Sequence, residues 1–292
     1  MRARRIFQAF ERTSSVICFV ILLSFTVELA STVYYITTSK QSDFMAMGTV
    51  QDYENRIENQ VAPADEWTRT TYYWKNNLGV AANRILFTVW YPGVSSEILQ
   101  AYVGGLINTY QNYENTMVPF RAAIEMHGLL ELTGFFIITA ITARLAWNFW
   151  KASGYLILSS FRGSKIEKRD FKRKLKKYRK RIMELLGDFV ILSSIGALLI
   201  FLAAPIEAYV SPGMWGYFDQ FVVPAYVFLV LVALFYVAVF FVRFRGWEML
   251  KKDANKIHGD IKRALRGKWV PSHLSLLMFI FFTTLTLIAI FA

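Results

Sequence analysis

Apolar runs of membrane length alternate along the chain with short charged blocks. A helix needs about 20 apolar residues to cross the hydrocarbon core of a bilayer. Runs of that order lie at residues 14–36, 127–150, 183–204, 221–242 and 274–291. Two weaker stretches, 77–90 and 95–110, are parted by Tyr91-Pro92-Gly93, a helix-breaking sequence. They are short for full spans and suit either tilted spans or the two halves of a re-entrant hairpin. Small residues at Gly79, Ala81, Ala82, Gly104 and Gly105 let helices approach closely there. Residues 42–60 carry Met45, Met47, Val50, Tyr53 and Ile57, a pattern that predicts an amphipathic element outside the apolar body. In residues 153–161 the short apolar run reads as an interfacial elbow after the 127–150 helix.

The fold class that follows is all-α, a polytopic membrane bundle of about seven membrane segments, with two basic amphipathic helices beside it. Ile166, Phe171, Leu175, Tyr178, Ile182 and Leu185 mark the first of these, centred on 163–182. The second carries Trp247, Leu250, Ala254, Ile257, Ile261 and Leu265. Their apolar seams offer a way for the two to pair. The expected division is a membrane domain over 1–212 and an extension over 213–292 with two spans and the second basic helix.

Charge orients this body. Residues 1–13 hold four arginines and one acid, 151–182 thirteen Lys/Arg against two acids, and 243–268 nine against three. Residues 37–75 are net acidic, four basic against six acidic. Seven segments and an inside N-terminus put every basic block in the cytoplasm, as the positive-inside rule requires. Trp74 and Trp215 then mark the outer interface, and Trp90, Trp147, Trp150, Trp247 and Trp269 the inner one. The +12 net charge thus speaks for membrane orientation rather than for nucleic acid. The single cysteine, Cys18, excludes an internal disulfide.

The chemistry gathers on one level. Asn76 and Asn77 open the second segment, Asn108 closes the third, His127, Gly128 and Glu131 open the fourth, and Glu207 closes the fifth. Glu28 lies in the outer half of the first. All fall near the outer side of the drawn topology. His127 and Glu131 stand four apart, on one helix face. Ionisable groups in a span are costly and face protein or water. Three readings stay open: an interhelical hydrogen-bond network, a lined cavity for an ion or small solute, and a catalytic or metal site. The other two histidines, His258 and His273, fall on the opposite side. HExxH, GxSxG and Walker patterns do not occur, so no metal or cofactor is expected. Towards the inner ends, Arg144 and Asp188 are placed to form an ion pair. The basic surface of Lys168, Arg169, Lys172, Arg173, Lys176, Lys177, Arg179 and Lys180 suits anionic lipid, at about 1 kcal/mol per residue near such a surface, or an acidic cytoplasmic partner.

These residues carry a resemblance. Asn76-Asn77, a glycine-bearing helix pair ending at Asn108, HGLLEL from His127 and APIEAYVSP from Ala204 follow one another as in the stage II sporulation protein M family. The match covers about 70–212. Thr109 stands where the family has glycine, and TAITARLAW departs from its glycine-rich stretch. The resemblance implies a multi-pass protein of the cell membrane with no catalysis of its own, and its motif positions fall on Asn76, Asn77, His127, Gly128, Glu131 and Glu207. In endospore formers the namesake is similar to a membrane anchor for a wall-degrading complex. Wider relatives are tied to membrane remodelling or transport-like roles. The expectation is a non-enzymatic scaffold that self-associates and organises the bilayer, with a transporter or channel component as the alternative.

Overall fold

A computed structural model describes residues 2–39, 41–56, 61, 64–112, 126–161, 168–211, 222–266 and 271–291. All regular structure among the described residues is helical, with no strand among them. Helix α1 spans Arg2–Thr38, α2 Gln41–Ala46, α3 Gly48–Arg56, α4 Glu66–Leu86 and α5 Pro92–Asn112. Then come α6 (Met126–Phe161), α7 (Lys168–Tyr209), α8 (Val222–Tyr236), α9 (Gly246–Leu265) and α10 (Ser272–Phe291).

Helix α6 is the axis. Residues 133–143 are buried on every face, three turns without an exposed side. A helix apolar all round must be surrounded, and α1, α4, α5, α7 and α10 all pack on it. Its contact with α7 is the most extensive, and glycine explains why. A Cβ at Gly134 would lie 2.6 Å from the Gly196 carbonyl, and one at Gly196 2.8 Å from the Gly134 carbonyl. Only hydrogen side chains allow that backbone approach.

Among the described residues, three helices are long and apolar enough to cross a membrane: Ala3–Thr38, His127–Ile157 and Arg179–Tyr209. A fourth follows if Val227–Arg243 and Gly246–Leu265, bent by 65°, form one broken span. With the apolar faces that α1, α7, α8 and α10 leave exposed, this is a membrane-type helical bundle. At the bend α8 continues as a π-helical turn, Val237–Arg243, and Arg245 takes a left-handed conformation, φ 53°. The π turn brings the Phe240 carbonyl to 3.5 Å from Cys18 Sγ.

The weakly apolar stretches 77–90 and 95–110 form a helical hairpin, α4 and α5, closed by a 3₁₀ turn at Thr88–Trp90 and by Tyr91 at φ 54°. Helix α4 runs alongside α6. Asn77 meets Glu131, Arg84 meets Thr139, and Trp150 Nε1 donates to the Val89 carbonyl at 2.7 Å. From Glu131 to Trp150 a helix rises about 28 Å at 1.5 Å per residue, close to a bilayer core. The hairpin therefore reaches as deep as α6 does over that stretch.

Two local expectations are corrected. Residues 153–161 do not turn into an elbow, because Ser153 Oγ donates back to the Phe149 carbonyl and α6 runs unbroken to Phe161. The first basic helix and the fifth apolar run are one helix of 42 residues, which takes in Pro205 and ends at Tyr209. The second basic helix, α9, packs against α1, the π turn and α10. Ser15 Oγ donates to Asp253 at 2.8 Å, and Ser272 Oγ donates to Asp260 at 2.5 Å. Helix α9 meets the body through buried Gly246 and Asp260 and through Asp253, while Trp247, Ile261 and Leu265 of its apolar seam stay exposed. The amphipathic element expected over 42–60 forms two short helices, α2 and α3, in its described residues. They pack Phe44 and Val50 on Tyr35 and Leu106.

Candidate functional site

Three helices meet where α4 passes the start of α6 and the end of α7. Asp65 caps α4 by accepting from the Thr68 amide at 2.7 Å, which fixes where the helix begins. That amide contact holds the exposed Asp65 carboxyl below its ordinary range. Three turns on, Asn76 Nδ2 donates to Asn77 Oδ1 at 2.8 Å, and Asn77 Nδ2 donates to Glu131 Oε2 at 2.9 Å. Just past the end of α7, Ser211 Oγ lies 2.6 Å from His127 Nδ1, and on α7 Glu207 Oε1 lies 3.9 Å from His127 Nε2. A nitrogen of His127 and oxygens of Glu131 and Glu207 all lie within 4.8 Å of one another. The His127 and Glu207 side chains are 11% and 20% exposed. Nearby, Trp74 stacks on Phe201 at 4.7 Å, and its Nε1 donates to the Phe201 carbonyl at 2.8 Å.

The order along the helices explains the convergence. His127 and Glu131 share a face of α6 through their four-residue spacing. Glu207 lies in the last turn of α7, and Ser211, four residues on and just past its end, falls on the same side. The close contact at Gly134 and Gly196 lies one to three turns further in and brings these two faces together.

The model of the stage II sporulation protein M family matches residues 15–212. The chain belongs to that family. No curated protein and no solved structure matches it. The match begins within α1 and is wider than the 70–212 that the motifs alone mark. In this family member the Asn-Asn, HG-x-x-E-L and IE motifs are thus neighbours in space, one on each of α4, α6 and α7. Gly128 is buried beside them. Asn108 is buried on α5, in the part of that helix that meets α1: a Cβ at Gly105 would lie 2.7 Å from the Glu28 carbonyl.

The inner pair also forms, with a third member. Arg144 Nη1 lies 3.1 Å from Asp188 Oδ2 and donates to Thr13 Oγ1 at 3.0 Å. Arg12 reaches the same carboxylate, with its Nε at 2.9 Å. Of the basic surface, Lys176, Arg179 and Lys180 are exposed on α7. The side chains of Lys168, Arg169, Lys172, Arg173 and Lys177 lie outside those described.

One group is absent from the sequence reading. Arg84 is buried to 1% exposure inside the hairpin. Its Nη1 donates to Glu97 Oε2 and to Thr139 Oγ1, both at 2.7 Å. Nη2 donates to Ser96 Oγ at 3.2 Å and to Gln100. The guanidinium also sits 4.4 Å from the Phe135 ring centroid. The signal was available: Arg84 lies seven residues after Asn77, on the same face of α4, and Glu97 and Gln100 are three apart on α5.

Proposed function

We propose that the chain is a non-enzymatic scaffold of the cell membrane, crossing it about seven times with its N-terminus inside. It self-associates and organises or remodels the bilayer. The observation that supports this most is how the carboxylates are held. Glu131 accepts from Asn77 of α4, and Glu207 of α7 faces His127 of α6. Polar groups that engage one another between helices fix how those helices pack. The group at Asn77, His127, Glu131 and Glu207 reads as a lock on three helices. Exposed cations on α7, with the apolar faces of α1, α7, α8 and α10, supply surfaces for anionic lipid, for a second copy or for an acidic partner. Reconstitution of the purified chain tests this reading. It predicts an oligomer in detergent and vesicles whose shape differs from protein-free controls. A monodisperse monomer that leaves vesicles unchanged overturns it.

A transporter component is the second reading, favoured by the Arg84–Glu97 pair. Paired charges at membrane depth mark substrate or ion paths in many proteins. The hairpin also resembles the broken helices that surround solute sites. Its prediction is a solute flux that Arg84→Met abolishes in intact, correctly folded protein.

A further inference from the structure

The geometry points to a divalent transition-metal site formed by His127 Nε2, Glu131 and Glu207, with zinc the best-matched ion. This deepens the lock proposed above, since a cation bound there ties α6 to α7 directly.

The first argument is the donor set. One imidazole nitrogen and two carboxylate oxygens, from two helices, lie within 4.8 Å of one another. Zinc takes nitrogen and oxygen ligands at about 2.0–2.2 Å, which places tetrahedral ligand atoms about 3.4 Å apart. The His127 Nε2 to Glu207 Oε1 separation, 3.9 Å, is near that spacing. Rotation of the glutamate carboxylates closes the rest. Imidazole with carboxylate suits zinc and its first-row neighbours better than calcium or magnesium, which prefer all-oxygen shells.

The second argument is independent and concerns the histidine tautomer. Ser211 Oγ is within hydrogen-bond distance of the Ile206 carbonyl, at 3.5 Å, and of His127 Nδ1, at 2.6 Å. A hydroxyl has one proton to give. With Ser211 Oγ as acceptor from His127 Nδ1, the ring's lone pair sits on Nε2, the nitrogen on the Glu207 side. That lone pair faces the Glu207 carboxylate. A cation between the two would be ligated by both. Metal-bound histidines hold their other ring nitrogen in this manner.

Charge balance points the same way. Glu131 and Glu207 bring two carboxylates close together, and a divalent cation between them would neutralise both. Asn77, which donates to Glu131 Oε2 at 2.9 Å, leaves the other oxygen of that carboxylate for the ion and orients it. Asn77 is a positioning residue here, not a ligand.

The test uses the full chain in detergent, stripped with chelator and dialysed against zinc, then measured by elemental analysis. A parallel sample is loaded with Co²⁺ and read by its visible absorption. The expected result is one zinc per chain and the intense bands of low-symmetry cobalt. Both should be lost in Glu207→Gln, a near-isosteric change that keeps the packing. Asn77→Ala should bind zinc about 10- to 100-fold more weakly, as loss of an orienting partner does. Wild type and Glu207→Gln that retain the same metal, or wild type that retains none from micromolar zinc, overturn the site. In either case a Glu131→Leu protein that still loosens leaves the packing lock standing, so the two claims fail separately.

Discussion

Arg84 ties the hairpin to α6. It is buried, it carries a full charge, and its Nη atoms reach α5 and α6 at once. Removing one partner of a buried pair leaves the other charge uncompensated, at a cost of about 3–5 kcal/mol, whereas replacing both by apolar groups is often neutral or better. Arg84→Met should therefore lower the thermal midpoint in detergent sharply, and Arg84→Met with Glu97→Met should recover most of the loss. A double variant no more stable than the single one would show that Arg84 acts through Thr139, Ser96 and Gln100 instead. At this scale the sequence was readable in part. His127, Glu131 and Glu207 stood out because ionisable residues in apolar runs are rare. Arg84 did not, because the run around it is weakly apolar and gives a lone arginine no contrast. Arg12 was hidden differently: it counted towards an orienting block, yet it reaches across to Asp188.

Between elements, the contact of α6 with α7 rests on Gly134 and Gly196. A side chain at either position has to push the two backbones apart, since its first carbon would stand 2.6–2.8 Å from a carbonyl oxygen. Overpacking of this kind costs about 1–3 kcal/mol or more. Gly134→Leu should lower stability by at least that much and separate His127 from Glu207. Gly79→Ala, where a Cβ meets nothing within 4 Å, should be neutral. Thermal unfolding of the two variants checks both. The start of α4 responds to pH. The Thr68 amide bond holds the folded carboxyl of Asp65 below its unfolded value of about 3.9. The cap's contribution is therefore fully present above that value and is lost as pH falls through the folded pKa. Asp65→Ala should be cut faster than wild type by protease near Trp67 at pH 7, with the difference gone at low pH. Helix existence was legible in the run lengths, and the hairpin in Tyr91-Pro92-Gly93. Helix ends were not. Residues 153–161 read as an elbow, but Gly154 serves a close approach to Pro271, whose carbonyl would stand 2.7 Å from an added Cβ. Pro205 reads as a stop, yet α7 carries it one turn before its end.

For the molecule as a whole, the positions that share the outer level in the sequence reading divide in space. Asn76, Asn77, His127, Glu131 and Glu207 converge, while Asn108 is buried where α5 meets α1. That division followed from the hairpin, whose second helix, α5, runs beside α1, and pairing of this kind leaves no trace in periodicity. The account rests on the converged group being a lock and not a passage. Glu131→Leu is the direct probe, because it removes the acceptor that Asn77 reaches from α4. An unmet polar group of that kind costs about 1–3 kcal/mol. The decisive measurement takes wild type and Glu131→Leu in the same liposomes and records, side by side, thermal stability, assembly state and flux of ions and small solutes. A lock predicts a looser, misassembled variant and no flux in either protein that Glu131 controls. A variant that folds and assembles as wild type does, but loses a flux the wild type carries, would contradict it.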